Sequence, residues 1–158
     1  MDEEWKQTLD DFSRVWSRVG GDVPPPPPPR DAPEALAALI RKDTAAQRTY
    51  QAMAGETKGN AAAVWAQLAA GSRRLVRKLQ TEYYLRSGDS CPVPRGCGPW
   101  EEFSYSRAWL DAGQAERAYL EAAGRAEDAG LRTVFAEAAE QKRGQREALR
   151  ALCEHLFR

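Results

Sequence analysis

Asp43 is the residue whose position most directly suggests chemistry, because it is an ionisable side chain within an apolar stripe. The stripe is predicted from residues that recur around it at helical spacing: Leu36, Leu39, Ile40, Ala46, Tyr50 and Met53. A carboxylate buried in such a stripe needs a cation beside it, either a metal ion or a basic side chain. Asp43 is therefore the first candidate for a functional site.

The other reactive side chains carry weaker signals. Three cysteines are too few, and too odd in number, for a disulfide framework. Cys91 and Cys97 lie in the Gly- and Pro-rich segment 87–98, and five intervening residues are a poor spacing for zinc. They are a local disulfide, a redox pair or two free thiols, and the sequence leaves these alternatives open. His155, the only histidine, lies one turn before the end of the chain and is given no catalytic role.

Apolar residues at helical spacing predict four long helices that would position these side chains. We place the helices at about residues 32–54, 60–86, 101–123 and 127–157. The connections after the first and third helices are short, so each helix pair is expected to be an antiparallel hairpin. The middle connection is longer. The predicted fold is an all-α, up-down four-helix bundle over residues 34–158.

The residues before this bundle are predicted to form a separate element. Residues 1–20 have the pattern of an amphipathic helix, with an apolar face made of Trp5, Leu9, Phe12, Trp16 and Val19. Residues 21–33 are a Gly- and Pro-rich linker, and the six prolines Pro24 to Pro29 predict a polyproline II spacer or a ligand for an aromatic groove. The helix is expected to pack on the bundle, on a second copy of the chain, or on a separate protein partner.

Composition excludes several classes of function. The chain of 158 residues has 23 basic and 23 acidic residues, which favours neither nucleic acid nor an anionic membrane as a partner. The acidic N-terminus does not have the pattern of a secretory signal. No stretch approaches the roughly 18 apolar residues of a membrane span. These features predict a cytoplasmic protein of one domain.

The two predicted hairpins resemble each other in sequence. The segment from Tyr50 to Gly55 matches the segment from Tyr119 to Gly124, which lies 69 residues later. The segment that begins at Trp65 matches the one that begins at Phe135, which lies 70 residues later. A duplicated hairpin is therefore predicted.

This duplicated hairpin resembles the ferritin-like superfamily and, within it, the rubrerythrin-like proteins, over about residues 34–157. In that family the first helix of each hairpin carries Glu-x-x-Ala-x-x-x-Tyr and the second carries Glu-x-x-His. These side chains hold two iron ions, which bind oxygen and imidazole ligands. The resemblance implies a ferritin-like bundle with an iron site at its centre.

Carried over residue by residue, the family's ligand positions fall on Asp43, Ala70, Arg73, Ala112, Glu140 and Arg143. Asp43 and Glu140 are still acidic, but both histidine positions are arginines. Two carboxylates cannot offset the charge of two iron ions, so the resemblance implies that the metal site is lost. We expect Asp43 and Glu140 to pair with the two arginines in a buried polar cluster. A mononuclear or rearranged site that uses, for example, Glu116 or Glu137 is the alternative.

The function that follows is a ferritin-like bundle without a cofactor or catalytic residues, acting as a structural or protein-interaction module. Its expected partner is a second copy or another protein, reached through the N-terminal helix. The alternative is a rubrerythrin-like redox enzyme, a peroxidase or oxidase, with iron in a rearranged site. A third hypothesis is thiol redox chemistry at Cys91 and Cys97.

Overall fold

The computed structural model describes residues 32–156, which form four α-helices and the segments between them. In chain order these are α1 (Ala32–Glu56), α2 (Gly59–Ser87), α3 (Tyr105–Arg125) and α4 (Ala129–Leu156). The prediction of an all-α fold with four long helices in this region is confirmed. The predicted N-terminal helix and residues 21–31 of the linker lie outside the described residues.

The start of α3 differs most from the prediction, because it lies at Tyr105 rather than near residue 101. Ser104 is the N-cap, and its side chain accepts a hydrogen bond of 3.1 Å from the backbone N–H of Arg107. A capping serine stabilises the first turn of a helix and so decides where the helix begins. The residues just before it are not helical, and the Phe103 ring lies 5.5 Å from that of Trp65.

Two apolar clusters form the core, and each contains residues from all four helices. The first cluster includes Ile40 of α1, Leu79 of α2, Tyr119 of α3 and Phe135 of α4. The second cluster includes Tyr50 of α1, Trp65 of α2, Ala112 of α3 and Leu149 of α4. The four helices therefore share one core that consists of two apolar ends.

The order in which the helices enter these clusters fixes their directions. The first half of α1 and the second half of α2 meet in the first cluster, so the first hairpin is antiparallel. The second half of α3 and the first half of α4 meet in the same cluster, so the second hairpin is antiparallel too. The starts of α2 and α3 lie together, however, with the rings of Trp65 and Tyr105 5.7 Å apart. The predicted up-down order thus holds within each hairpin and is wrong between them, because α2 and α3 run in the same direction.

The segment 88–104 connects these two parallel helices by crossing the length of the bundle along α1. Arg48 donates a hydrogen bond to the backbone carbonyl of Cys97, and the backbone N–H of Trp100 donates one of 2.9 Å to the Thr49 hydroxyl. Gly98 lies directly on α1, where a Cβ atom would come within 2.7 Å of the Ala45 Cα. This crossover is therefore attached to α1 along its path.

The helices are packed unevenly around the core. α1 packs mainly on α2, α3 packs mainly on α4, and the two hairpins meet chiefly through α2 and α4. The fourth side, between α1 and α3, is more open and contains the cavity described below. Within residues 32–156, no helix combines the length and the apolarity needed to cross a bilayer.

Candidate functional site

A layer of buried polar side chains separates the two apolar clusters at the middle of the bundle. Every helix contributes to it, and its members are Asp43, Ser72, Glu116, Lys142 and Gln145. Each of them is exposed by 7% or less of its surface. Since burial of polar groups is costly unless they are paired, the partners within this layer decide what it can do.

Asp43 has two partners that hold both of its carboxylate oxygens. The Lys142 ammonium forms an ion pair with Oδ1, and the Tyr119 hydroxyl donates a hydrogen bond to Oδ2. All three side chains are buried, at 3%, 2% and 0% exposure. The cation that Asp43 needs is therefore a lysine of α4, and the pair leaves no net charge in the core.

The network continues from Lys142 to α2. The Lys142 ammonium donates a hydrogen bond of 3.2 Å to the Gln145 side-chain oxygen, and the Gln145 amide donates one of 3.1 Å to the Ser72 hydroxyl. Ser72 is completely buried. Three hydrogen bonds and the Asp43–Lys142 ion pair therefore link side chains of α1, α2, α3 and α4.

Glu116 forms a second charged group on the α3 side of the layer. Its carboxylate pairs with Arg143 at 3.1 Å and with Arg146 at 3.2 Å, so both oxygens face arginines of α4. The side chain of Glu116 is 9% exposed, whereas those of Arg143 and Arg146 are 53% and 30% exposed. The Glu116 hydrogen bond is the main reason why the pKa of Arg143 is raised above its usual value.

The expected buried cluster of Asp43 and Glu140 with two arginines is wrong, although one of its pairs, Glu140 with Arg143, forms at the surface. Asp43 is buried but pairs with Lys142, Arg73 is exposed, and the Glu140 side chain is 71% exposed. Glu140 pairs with Arg143 at 3.2 Å on the surface of α4. The reason is the rotation of α4 about its axis, which turns Lys142 to the core and turns Glu140 and Arg143 to solvent.

The sequence does contain a signal for Lys142. It lies four residues after Ala138 and seven before Leu149, which are both buried, so it continues the apolar face of α4. A lysine is rarely placed in a core on its own, but the matching carboxylate on α1 makes the position possible. Of the two alternative acidic residues, Glu116 faces the layer, whereas Glu137 lies on the surface in an ion pair with Lys78 at 2.6 Å.

A partly open cavity of about 240 Å³ lies between α1 and α3 and reaches the Asp43–Lys142 pair. Small side chains leave the space, and they are Ala45, Ala46, Ala112, Ala115 and Ala118. Trp100 of the crossover, Tyr50 and Tyr119 add aromatic surface. Asp111 and Lys42 also contact the cavity, so its surface carries charges of both signs.

The two tyrosines of the cavity are poor acids. Burial, followed by the negative charge of Asp43, raises the pKa of Tyr119 well above its usual value near 10. Burial and the charges of Asp43 and Asp111 likewise raise the pKa of Tyr50. Tyr119 uses its proton in the bond to Asp43, but the Tyr50 hydroxyl has no hydrogen-bond partner among the described residues. Because Tyr50 lines the cavity, this hydroxyl is available for a ligand.

The donor set of the layer does not fit a di-iron centre. Iron at such a site needs several carboxylate or imidazole ligands, and within residues 32–156 no three acidic, histidine or cysteine side chains are grouped so that they could hold a metal ion. Asp43 and Glu116 are already paired with cations of the same chain. A metal ion would have to displace a buried ammonium from Asp43.

The cysteines are not joined by a disulfide bond. Cys91, Cys97 and Cys153 are free thiols. The Cys97 thiol donates a hydrogen bond of 3.1 Å to the backbone carbonyl of Arg41, which attaches the crossover to α1. Burial raises the pKa of the Cys91 thiol, which disfavours the reactive thiolate form. These features favour structural roles for the two crossover cysteines.

Comparisons of this chain with protein families, with curated proteins and with solved structures found no match.

Proposed function

We propose that this chain is a ferritin-like bundle that has lost its di-iron site and acts as a structural or protein-interaction module. Two antiparallel hairpins joined by one long crossover are the connectivity described for ferritin-like folds. Segment 88–104 joins α2 and α3 in this way, which supports the proposal more strongly than the sequence repeat alone. A cytoplasmic location is part of the same proposal.

The single observation that carries the loss of the metal site is the ion pair between Lys142 and Asp43. In ferritin-like proteins the bundle centre holds acidic and histidine ligands from all four helices. Here the same layer holds an ammonium group, an amide and a hydroxyl in addition to two carboxylates. Each carboxylate is already paired with a cation of α4, Asp43 with Lys142 and Glu116 with Arg143 and Arg146, which supports a structural core rather than a site that binds iron and oxygen.

The test is the iron content of the full-length protein after anaerobic incubation with ferrous iron, measured by plasma mass spectrometry. We expect no stoichiometric iron, and the same background in wild type as in the matched variant Asp43→Asn. About two iron atoms per chain, removed by Asp43→Asn, would instead support the alternative function, a rubrerythrin-like peroxidase or oxidase. The outcome is thus decided by the amount of iron and by its dependence on Asp43.

The interaction part of the proposal rests on the predicted amphipathic helix of residues 1–20, which lies outside the described residues. The bundle adds exposed apolar surface on α3, where Trp109 and Leu110 are 40% and 54% exposed. Such surface is more common at interaction sites than on isolated monomers when it is contiguous with other apolar groups. The proposed partner is a second copy of the chain or another protein.

Light scattering on the full-length chain tests the first of these partners. Replacing Leu9 and Trp16 by glutamate places two charges on the predicted apolar face of residues 1–20, and we expect a dimer to dissociate. The matched control replaces Gln7 and Ser17 by glutamate, because it adds the same charge away from that face. A monomeric mass for the wild type would exclude the homodimer and leave a different protein as the proposed partner.

A further inference from the structure

The cavity between α1 and α3 has a size and a surface that suit a small ligand. Its volume of about 240 Å³ exceeds the roughly 150 Å³ of an engineered apolar cavity that binds benzene. It is therefore large enough for one six-membered ring with a short substituent. The walls are mostly alanine side chains and aromatic rings, and the rings of Tyr50 and Trp100 stand 6.1 Å apart and nearly perpendicular. Such walls favour a flat apolar body.

The inner end of the cavity offers hydrogen bonds that the protein does not use. Tyr50 is 1% exposed and lines the cavity, and its hydroxyl has no partner within residues 32–156. The Lys142 ammonium forms an ion pair with Asp43 and donates one hydrogen bond, to Gln145, although it carries three protons. Asp111, which also lines the cavity, has only a 3.6 Å contact with Arg107. A ligand hydroxyl placed here can both accept and donate a hydrogen bond.

The charges around the cavity select against ionised ligands. Lys42 and Lys142 are matched by Asp43 and Asp111, so the four charged side chains that line the cavity sum to zero. A lining without net charge gives an anion or a cation no net attraction to offset the hydration that it loses on entry. A neutral polar group meets neither penalty.

We propose that this cavity binds a neutral, single-ring molecule that carries one hydroxyl group, with the ring between α1 and α3 and the hydroxyl at Tyr50 and Lys142. This binding role is separate from the loss of iron and from the N-terminal interaction, because none of its contacts involves a metal or residues 1–31. It uses polar groups that the closed Asp43 network leaves free.

The test is calorimetric titration of the full-length protein at neutral pH with 4-methylphenol, toluene and benzoate as probes. We expect 4-methylphenol to bind more tightly than toluene, which lacks the hydroxyl, and than benzoate, which is charged. Tyr50→Phe should weaken 4-methylphenol binding about tenfold, the effect of one hydrogen bond of typical strength, while toluene binding stays unchanged. The matched control is Tyr84→Phe, because Tyr84 is exposed on α2 outside the cavity.

A second pair of variants tests the location without relying on Tyr50. Ala115→Leu fills the cavity and should abolish binding of 4-methylphenol, whereas Ala136→Leu on the exposed face of α4 should leave it unchanged. The proposal is overturned if the wild type does not bind 4-methylphenol at millimolar concentration, or if it binds benzoate as tightly as 4-methylphenol. It is also overturned if Tyr50→Phe and Ala115→Leu bind 4-methylphenol as tightly as their controls do.

Discussion

Asp43 and Glu116 occupy the same layer of the bundle, but their cations differ in exposure. Both carboxylates are almost completely buried, and both pair with basic residues of α4. Lys142, the partner of Asp43, is 2% exposed, whereas the side chain of Arg143, a partner of Glu116, is 53% exposed. Water screens the second group and not the first. The burial of the partner therefore decides how much the fold depends on a charged pair.

The largest expected effect on stability comes from breaking the buried Lys142–Asp43 pair. Lys142→Met leaves Asp43 buried without its cation, and we expect the free energy of unfolding to fall by about 3–5 kcal/mol in denaturant titrations. The double variant Lys142→Met with Asp43→Asn removes both charges and should recover most of this loss. The coupling between the two sites is then read from the double-mutant cycle.

The control for this experiment is Lys78→Met, which breaks the exposed Lys78–Glu137 pair. The two side chains of that pair are 50% and 58% exposed, so the expected loss is below about 1 kcal/mol. An equal loss in Lys142→Met and Lys78→Met would contradict the special role of the buried pair. Failure of the double variant to recover stability would indicate that packing of the lysine stem, rather than charge, is the main contribution.

A loss of stability of intermediate size is expected at alkaline pH, and its source is Tyr119, which contacts Asp43. Burial raises the pKa of Tyr119, so the folded state keeps a proton that the unfolded chain releases above about pH 10. Its contribution to stability is present in full below pH 10 and is lost as pH rises further, by up to about 1.4 kcal/mol per pH unit. Tyr119→Phe should flatten this decline in thermal unfolding curves between about pH 9 and pH 11.

The matched control for the alkaline decline is Tyr84→Phe, because Tyr84 is 57% exposed. Its removal should leave the slope of stability against pH unchanged. If both variants change the slope equally, the decline has its origin outside the buried layer. At neutral pH, Tyr119→Phe should also lower stability by about 1.5–3 kcal/mol, since it removes a hydrogen bond to a charged group.

The smallest effect is expected at Glu116. Glu116→Gln keeps the shape of the side chain and removes the charge, and the exposed arginines remain hydrated, so we expect a loss of about 1 kcal/mol or less. High salt should reduce this loss further, because screening acts on solvent-exposed charges. Denaturant titrations of Glu116→Gln and Lys142→Met in low and high salt test the comparison directly. A salt-dependent loss in Lys142→Met would show that the Asp43 pair is hydrated after all.

Much of the helical structure was predictable because it depends on local patterns. The apolar stripe of α1 and the helical spacing in α2, α3 and α4 identified all four helices, and the burial of Asp43 followed from its place in the stripe. The end positions were less accurate where capping decided them, as at Ser104. The partner of Asp43 was not predictable from local patterns, because a rotation of α4 by one residue exchanges Lys142 for Arg143.

The helices, and one charged residue in need of a partner, follow from local patterns, since helical periodicity, glycine positions and apolar spacing act over a few residues. Three features depend instead on how the helices pack: the parallel course of α2 and α3, the pairing of Asp43 with Lys142, and the cavity between α1 and α3. Each of these depends on contacts between residues far apart in the chain, whose mutual rotation and distance are set by the packing of the whole core. That packing places an ammonium group beside Asp43 and leaves the hydroxyl of Tyr50 free.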